Sequence, residues 1–306
     1  MKKINHLLLC LLFPAFCVAQ QMPQAGLFSG MQFGWNPAMT ANWAYLEAYA
    51  HYAQQWMGFD QAPRQISAGI QYPFPDLNMG LGLQIMQDKT GPLSQTGGAL
   101  SYAYHLKLAA RQRLSFGVFG RFNQFRYDSQ DEIVANPNDP LLGLDVGTVP
   151  QLNLGLGIFY RSADMDEWYR DHFFAGISLY QAIPQNLIFT GVNDQANFAR
   201  VWHAYGLLGY RFDLDGFFIE PAVQFDYASK NILIPRFNLQ FEMSDTFWAG
   251  ISLDGSFSAS LQAGFILTTD NYRGIRIGVL AGRSAAAKGL DLGMSYGFFA
   301  AYRFEL

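Results

Sequence analysis

Beyond the first twenty residues, the side chains best suited to acid–base chemistry are four histidines, His51, His105, His172 and His203. None sits in a GxSxG elbow or an HExxH helix, the spacings that set a nucleophile or a zinc ion beside a base. His105 follows Tyr104 and His203 follows Trp202, within segments of alternating polarity where a single histidine reads as a wall residue. A barrel hydrolase is therefore disfavoured, and no enzyme activity is expected. The two cysteines, Cys10 and Cys17, both precede residue 20, so removal of that segment excludes disulfides and thiol catalysis. Asp128, Asp131, Glu132, Asp139 and Asp145 could supply oxygen ligands to calcium, but their spacing matches no EF-hand loop. A solvated acidic loop is the simpler account, and no metal or cofactor is expected. Formal charge is −4, and −6 without Lys2 and Lys3, which argues against a nucleic-acid partner.

Two turn-like segments carry a different chemistry. In Trp56–Pro63, Gly58 permits tight backbone geometry, Pro63 stiffens the exit, and Trp56 and Phe59 supply apolar anchors. Such aromatics either pack at a barrel mouth or membrane interface, or dock a protein partner. Asp88, Gly91 and Pro92 mark a second segment of this kind. These seven residues are the candidate docking positions.

Strands must position them. From Leu290 to Leu306 the even positions are apolar or aromatic, and the odd ones are mostly small or charged. Successive strand side chains point to opposite faces, so this is a strand with one greasy and one wet face. It is longer than the ~5–6 residues usual in soluble proteins. A tilted strand crossing an outer membrane needs ~9–11 residues, apolar outward and polar inward. As the last strand, it is expected to pair with the first. The mature chain has no run of ~18 apolar residues for a transmembrane helix. The same alternation recurs from Trp43–Gln54 onward, and fourteen strands are counted.

That count separates the connections. Pro73–Leu77, Ala109–Arg111, Ala163–Asp171 and Asp213–Asp215 fall on one side, with Ser244-Asp245 and Thr269–Asn271. The longer Gln55–Pro63, Asp88–Gln95, Asp128–Val149 and Gln181–Ala199 fall on the other. Short periplasmic turns and longer outer loops are the habit of bacterial barrels. The inward face then carries Glu47, Arg113, Arg121, Gln151, Asn153, Arg161, Glu220, Gln224, Asp226, Arg236, Asn238, Gln240, Glu242, Gln262, Arg276, Asp291, Arg303 and Glu305. These line either a lumen closed by salt bridges and water or a path through it. Lys2 and Lys3, the apolar Leu7–Phe13 and Cys17-Val18-Ala19 form a secretory signal, with cleavage expected after Ala19. A lipoprotein signal is set aside because Pro14-Ala15-Phe16 approaches Cys17 poorly. Residues 20–306 are expected to form one domain.

Several pieces together resemble the PorP/SprF family of type IX secretion outer-membrane proteins, found in Bacteroidota. They are Asn36-Pro37-Ala38-Met39-Thr40, the run Gln55–Pro63, Gly80-Leu81-Gly82-Leu83 leading to Asp88–Pro92, Tyr102-Ala103-Tyr104 and Leu114-Ser115-Phe116-Gly117. Their order and spacing match the family, and weaker likeness continues through Asp139-Pro140, Pro150–Tyr160 and the C-terminal strands. Two departures stand out: Ala41 stands where the family often has glycine, and Gln61 lies near a commonly glycine position. The resemblance implies a non-enzymatic, all-β, up-and-down barrel in the outer membrane, serving secretion and gliding motility. It implies as partners the C-terminal domain of a secreted adhesin and a periplasmic lipoprotein that connects the barrel to peptidoglycan. A passive outer-membrane channel for small or hydrophobic solutes is the alternative that the same strands allow.

Overall fold

The computed structural model describes residues 29–58, 60–129, 145–167, 170–189, 198–228, 232–244, 246–255, 258–270, 273–284 and 293–305. The expected secretory signal, Phe59, Asp131, Glu132, Asp139 and Asp291 lie outside these residues. The strands are β1 (Tyr45–Gln54), β2 (Arg64–Phe74), β3 (Met79–Thr90), β4 (Leu93–Ala109), β5 (Gln112–Asp128), β6 (Asp145–Gly147), β7 (Gln151–Arg161), β8 (His172–Gln181), β9 (Gln185–Leu187), β10 (Phe198–Arg200), β11 (His203–Asp213), β12 (Phe217–Ala228), β13 (Ile232–Met243), β14 (Phe247–Asp254), β15 (Ser258–Asp270), β16 (Arg273–Ser284) and β17 (Ser295–Glu305). All but β6, β9 and β10 close into one antiparallel barrel of fourteen strands. The ring is completed by β1 against β17, paired from Tyr45↔Glu305 to Gln54↔Tyr296.

The alternation explains the closure. On β3, Leu81, Leu83 and Ile85 point outward with 46%, 46% and 58% of their surface exposed, while Gly82 and Gln84 between them are buried. Outward Leu100, Phe122, Leu152, Ile177, Leu261 and Phe298 continue this greasy belt on other strands. An apolar face of that extent belongs in hydrocarbon rather than water. Hydrocarbon offers no partner for a free strand edge, so the sheet must close on itself.

Three connections differ from the sequence expectation. Asp88–Gln95 is not a long outer segment: the β3–β4 ladder continues through Asp88↔Gln95 to Thr90↔Leu93. Gly91, at φ +56°, and Pro92 alone make the turn, because a left-handed residue lets a two-residue hairpin reverse without splaying its strands. In 128–149, the tail Asp145–Gly147 forms β6 against the tip of β5. In 181–199, β9 and β10 form a small hairpin of their own. The mouth carrying these connections is the loop mouth. The opposite one, with Pro75–Leu77 and the Ala109–Gln112 hairpin, is the turn mouth.

The two departures from glycine both fall on left-handed backbone, Ala41 at φ +48° and Gln61 at φ +59°. This conformation costs an L-residue roughly 1–2 kcal/mol, whereas the added freedom of glycine in the unfolded chain costs roughly 0.4–1 kcal/mol. Gln61 is exposed, so Gln61→Gly is expected to stabilise the barrel by ~0.5–1 kcal/mol. Ala41 is 2% exposed, and its glycine variant also loses a buried methyl worth about 0.8 kcal/mol. Ala41→Gly should leave stability nearly unchanged. Denaturant midpoints of the refolded barrels in detergent, compared with wild type, check both.

Candidate functional site

The lumen is occupied by the chain's own N-terminal segment. Residues Ser29–Gly34 and Pro37–Met39 form two short 3-10 turns inside the barrel. Pro37 opens the second turn, where its missing N–H costs nothing, and Asn36 caps it: the Ala38 N–H donates to Asn36 Oδ1 at 3.0 Å. The Asn36 amide also donates to the wall, to the Ile158 carbonyl at 3.1 Å and the Ile177 carbonyl at 3.4 Å. Met31 and Phe33 join a buried cluster with Tyr49, Trp248, Ile266 and Phe299, while Ala38 and Met39 join another with Phe159, Phe174, Tyr205 and Leu207. Wall strands β1, β14, β15 and β17, and on another arc β7, β8 and β11, thus pack on the same segment, which crosses the lumen.

Inward glycines make room for it. A Cβ on Gly117 would lie 2.2 Å from the Ala38 nitrogen, one on Gly157 2.0 Å from Asn36 Oδ1, and one on Gly80 2.6 Å from the Thr40 carbonyl. Wall side chains then satisfy the plug's backbone. Arg121 donates to the Gly34 carbonyl at 2.8 Å, Ser178 to Trp35 at 2.8 Å and Arg161 to Asn42 at 2.6 Å. His105 is buried, and its Nε2 lies 3.1 Å from the Thr40 carbonyl. A carbonyl only accepts, so Nε2 carries the proton and Nδ1 accepts from the Ser115 hydroxyl at 2.8 Å. That serine–histidine pair serves as a wall contact beneath the plug.

Among residues whose side chains are described, the rest of the inward set is placed as its periodicity predicts, and much of it is paired. Glu242 and Arg276 form a two-pronged contact at 2.8 and 2.5 Å, both almost fully buried. Arg211 pairs with Glu220 at 2.6 Å. Arg303 donates to Glu47 at 2.6 Å across the β1–β17 seam. Gln71 donates to the other oxygen of Glu47 at 2.8 Å and accepts from the Ala41 N–H at 2.7 Å. One chain of contacts therefore links the seam to the end of the plug.

The described candidate docking residues lie at the loop mouth; Phe59 is outside the described residues. The Gly91 N–H donates to the Gln61 carbonyl at 3.2 Å, fastening the β3–β4 turn to the β1–β2 loop. The Met57 N–H donates to Met294 at 2.9 Å, and the Trp56 N–H to the Ser295 hydroxyl at 3.4 Å, fastening the loop to the start of β17. The Gln55 N–H donates to Pro63 at 2.8 Å and closes the loop's base. Trp56 is held at φ +54°, strained backbone for a bulky residue. Met57 and Gly58 are exposed and Pro63 is half-buried. Asp88 is apart from this group in role: it lies within β3, its carboxylate accepting from Thr90 at 3.4 Å. Nearby, Phe125, Leu187 and Phe189 bury one another beside β6, and Asp145 is gripped by Arg126 at 2.5 and 2.6 Å.

Local sequence patterns do not place the plug. Asn36-Pro37 is a legible turn start, but its wall partners lie 122 and 141 positions away. At the turn mouth, residues 162–167 fold back over the plug's exit. Met165 is buried and its carbonyl accepts from the Ala44 N–H at 3.0 Å. Asp164 binds Lys107 at 3.0 Å and Arg113 at 2.6 Å. Burial works to raise the Asp164 carboxyl, but hydrogen bonds from Lys107, the Met165 N–H and Arg113 outweigh it and lower it from 3.8 to about 2.

Two outcomes follow. A depressed carboxylate stabilises above its unfolded value and loses that contribution as pH falls through the folded one. Residues 162–167 should stay closed above about pH 4 and become cleavable by pepsin as pH drops toward about 2, while Asp164→Asn should be cleaved alike across that window. Second, Gly117→Val should displace the plug, because its Cβ meets plug backbone. Thr40→Cys, nearly isosteric at a fully buried position, reports this. A hydrophilic maleimide should label it at least roughly tenfold faster in the Gly117→Val background, the change expected when a closed site becomes accessible.

Comparison with known proteins agrees with this geometry. No curated protein matches the sequence closely enough to count as a relative. Three solved barrels share the fold: the CymD monoaromatic hydrocarbon channel, the Ralstonia pickettii toluene transporter TbuX and the Pseudomonas putida toluene transporter TodX. CymD superposes with TM-score 0.56 at 10% identity, over 92% of this chain and 94% of its own. TbuX gives 0.52 at 12% over 89% and 92%, and TodX 0.54 at 8% over 90% and 93%. The family described as "Type IX secretion system membrane protein PorP/SprF" matches residues 17–302. The chain thus belongs to the PorP/SprF family of type IX secretion system membrane proteins, built as an outer-membrane β-barrel.

Proposed function

We propose that this protein is a closed scaffold of the type IX secretion machinery, which holds a secreted adhesin-type partner at the loop mouth and does not pass it through the lumen. On this account the C-terminal domain of the cargo docks on Trp56, Phe59, Pro63 and the Gly91-Pro92 turn. A periplasmic, peptidoglycan-linked lipoprotein binds at the turn mouth, and the barrel reaches the membrane by Sec-type export of a chain whose first 19 residues are removed. The observation that carries it is the contrast between the two regions. The lumen is crossed by residues 29–41 in buried, hydrogen-bonded contact, whereas the loop mouth presents the β1–β2 loop, with Met57 exposed and Trp56 half-buried, pinned at Gln61, Met57 and Trp56. A pinned loop loses little conformational freedom on binding, which favours docking. The strained Trp56 backbone adds support, since strain is retained where the surroundings enforce it.

The passive-channel alternative has one observation in its favour, the fold shared with barrels whose names record hydrocarbon channels and transporters. At 10–12% identity that likeness concerns the fold alone. The test is retention of partners by the tagged protein, purified from its native envelope in mild detergent and identified by mass spectrometry. A large surface protein should be retained by wild type and lost from Trp56→Ala/Phe59→Ala, which should still migrate as a folded barrel. Retention by the folded variant would remove the loop from the docking site. A wild-type barrel recovered alone, with solute flux in planar bilayers, would favour the channel.

A further inference from the structure

The outer wall is not evenly convex. Between β5, β7, β8, β11 and β12 it carries a groove of about 670 Å3, within the ~300–1,000 Å3 of small-molecule sites. Its origin is legible on β11, where the outward positions Ala204 and Gly206 are small. The neighbouring outward positions are large: Leu156 and Ile158 on β7, Ile177 and Leu179 on β8, Phe225 on β12. A Cβ on Gly206 would find only ordinary contact with Phe225, at 3.6 Å, so the glycine is not forced by packing there.

We propose that this groove is a fixed binding site for an acyl chain of a membrane phospholipid. The occupant follows from what the groove adjoins. It is a dent in the greasy belt, open to the hydrocarbon that the belt contacts, and its lining is almost wholly apolar. Water gains nothing there, while a chain seated in the dent recovers the dispersion contacts that an unfilled surface loses. The groove ends toward the loop mouth at Tyr227, whose ring lies 5.3 Å from that of Trp202. Tyrosine and tryptophan pairs of this sort sit at headgroup level, where the polar end of a lipid remains wet.

The site also has a structural consequence. Gly117 and Gly157 line the groove, and their inward sides abut Pro37 and Asn36 of the plug. Ser178 and Tyr205 line it too, the first donating to the Trp35 carbonyl and the second stacking on the Trp35 ring at 6.4 Å. The chain therefore lies back to back with the strip of wall that receives the plug, separated from it by one layer of backbone.

The experiment compares wild type with Ala204→Leu/Gly206→Leu, which fills the groove floor, and with Ile177→Trp, which fills it from an exposed rim position. Each full-length barrel in detergent is incubated with diacyl phosphatidylethanolamine or a free fatty acid, passed over a sizing column and weighed by native mass spectrometry. Folding is scored by heat-modifiable migration. Wild type should retain one phospholipid per barrel, and each folded variant should retain at least tenfold less. Ile177→Trp alone carries the comparison if the double variant fails to fold. Equal retention by a folded variant, no retention by wild type, or retention of the fatty acid but not the phospholipid would overturn the proposal. A co-purified protein covering the groove in place of lipid would do the same.

Discussion

The requirement that no backbone polar group be left unpaired in hydrocarbon governs this molecule from the outside in. Fourteen strands meet it by closing, and the β1–β17 seam is where closure is won or lost. Closure moves the difficulty to the interior. A ring of this size encloses polar side chains that must find partners in a confined space, and charges there are costly unless matched. The pairs Arg276–Glu242, Arg303–Glu47 and Arg211–Glu220 answer that for one side of the lumen. On the side of β4, β5, β7 and β8, the partners are backbone carbonyls of the chain itself, carried in by residues 34–42.

The plug and the wall are therefore one design. Arg121 and Ser178 have carbonyl partners because the plug is present, and the plug's backbone is satisfied because those side chains point inward. The inward glycines complete the arrangement. Gly80, Gly117 and Gly157 are weak strand formers, yet a methyl at any of them would collide with plug atoms within 2.6 Å. A segment that only visited the lumen would not require three glycines at contact distance.

Much of this was legible from the chain. The period-two pattern placed Glu47, Arg113, Arg121, Asn153, Glu242 and Arg276 inward, counted the strands, and joined the last to the first. Those properties are local: each strand announces its own two faces. The plug was not legible, because Asn36 resembles any turn-capping asparagine until β7 and β8 are folded beside it. Glycines on a strand look alike whether they face lipid, as Gly206 does, or a plug, as Gly157 does. The Asp88–Gln95 segment was misjudged for a related reason: Gly91-Pro92 signals a turn without saying that the ladder runs up to it. Ala41 and Gln61 were visible as departures from the family pattern, but only the backbone dihedrals show that both sit on left-handed backbone.

The same distinction bears on what the barrel can do. A conduit needs a lumen whose contents exchange, and exchange needs contacts that break and reform at low cost. The plug's contacts are of the opposite kind: Asn36 alone, itself fully buried, makes one bond within the plug and two to the wall. Leaving such groups unpaired costs on the order of 1–3 kcal/mol each. Transport through the barrel would require a partner that replaces those bonds as the plug withdraws. A scaffold of the proposed kind needs no such step, because the surfaces it would use, the pinned loop mouth and the membrane face, are presented in the closed state.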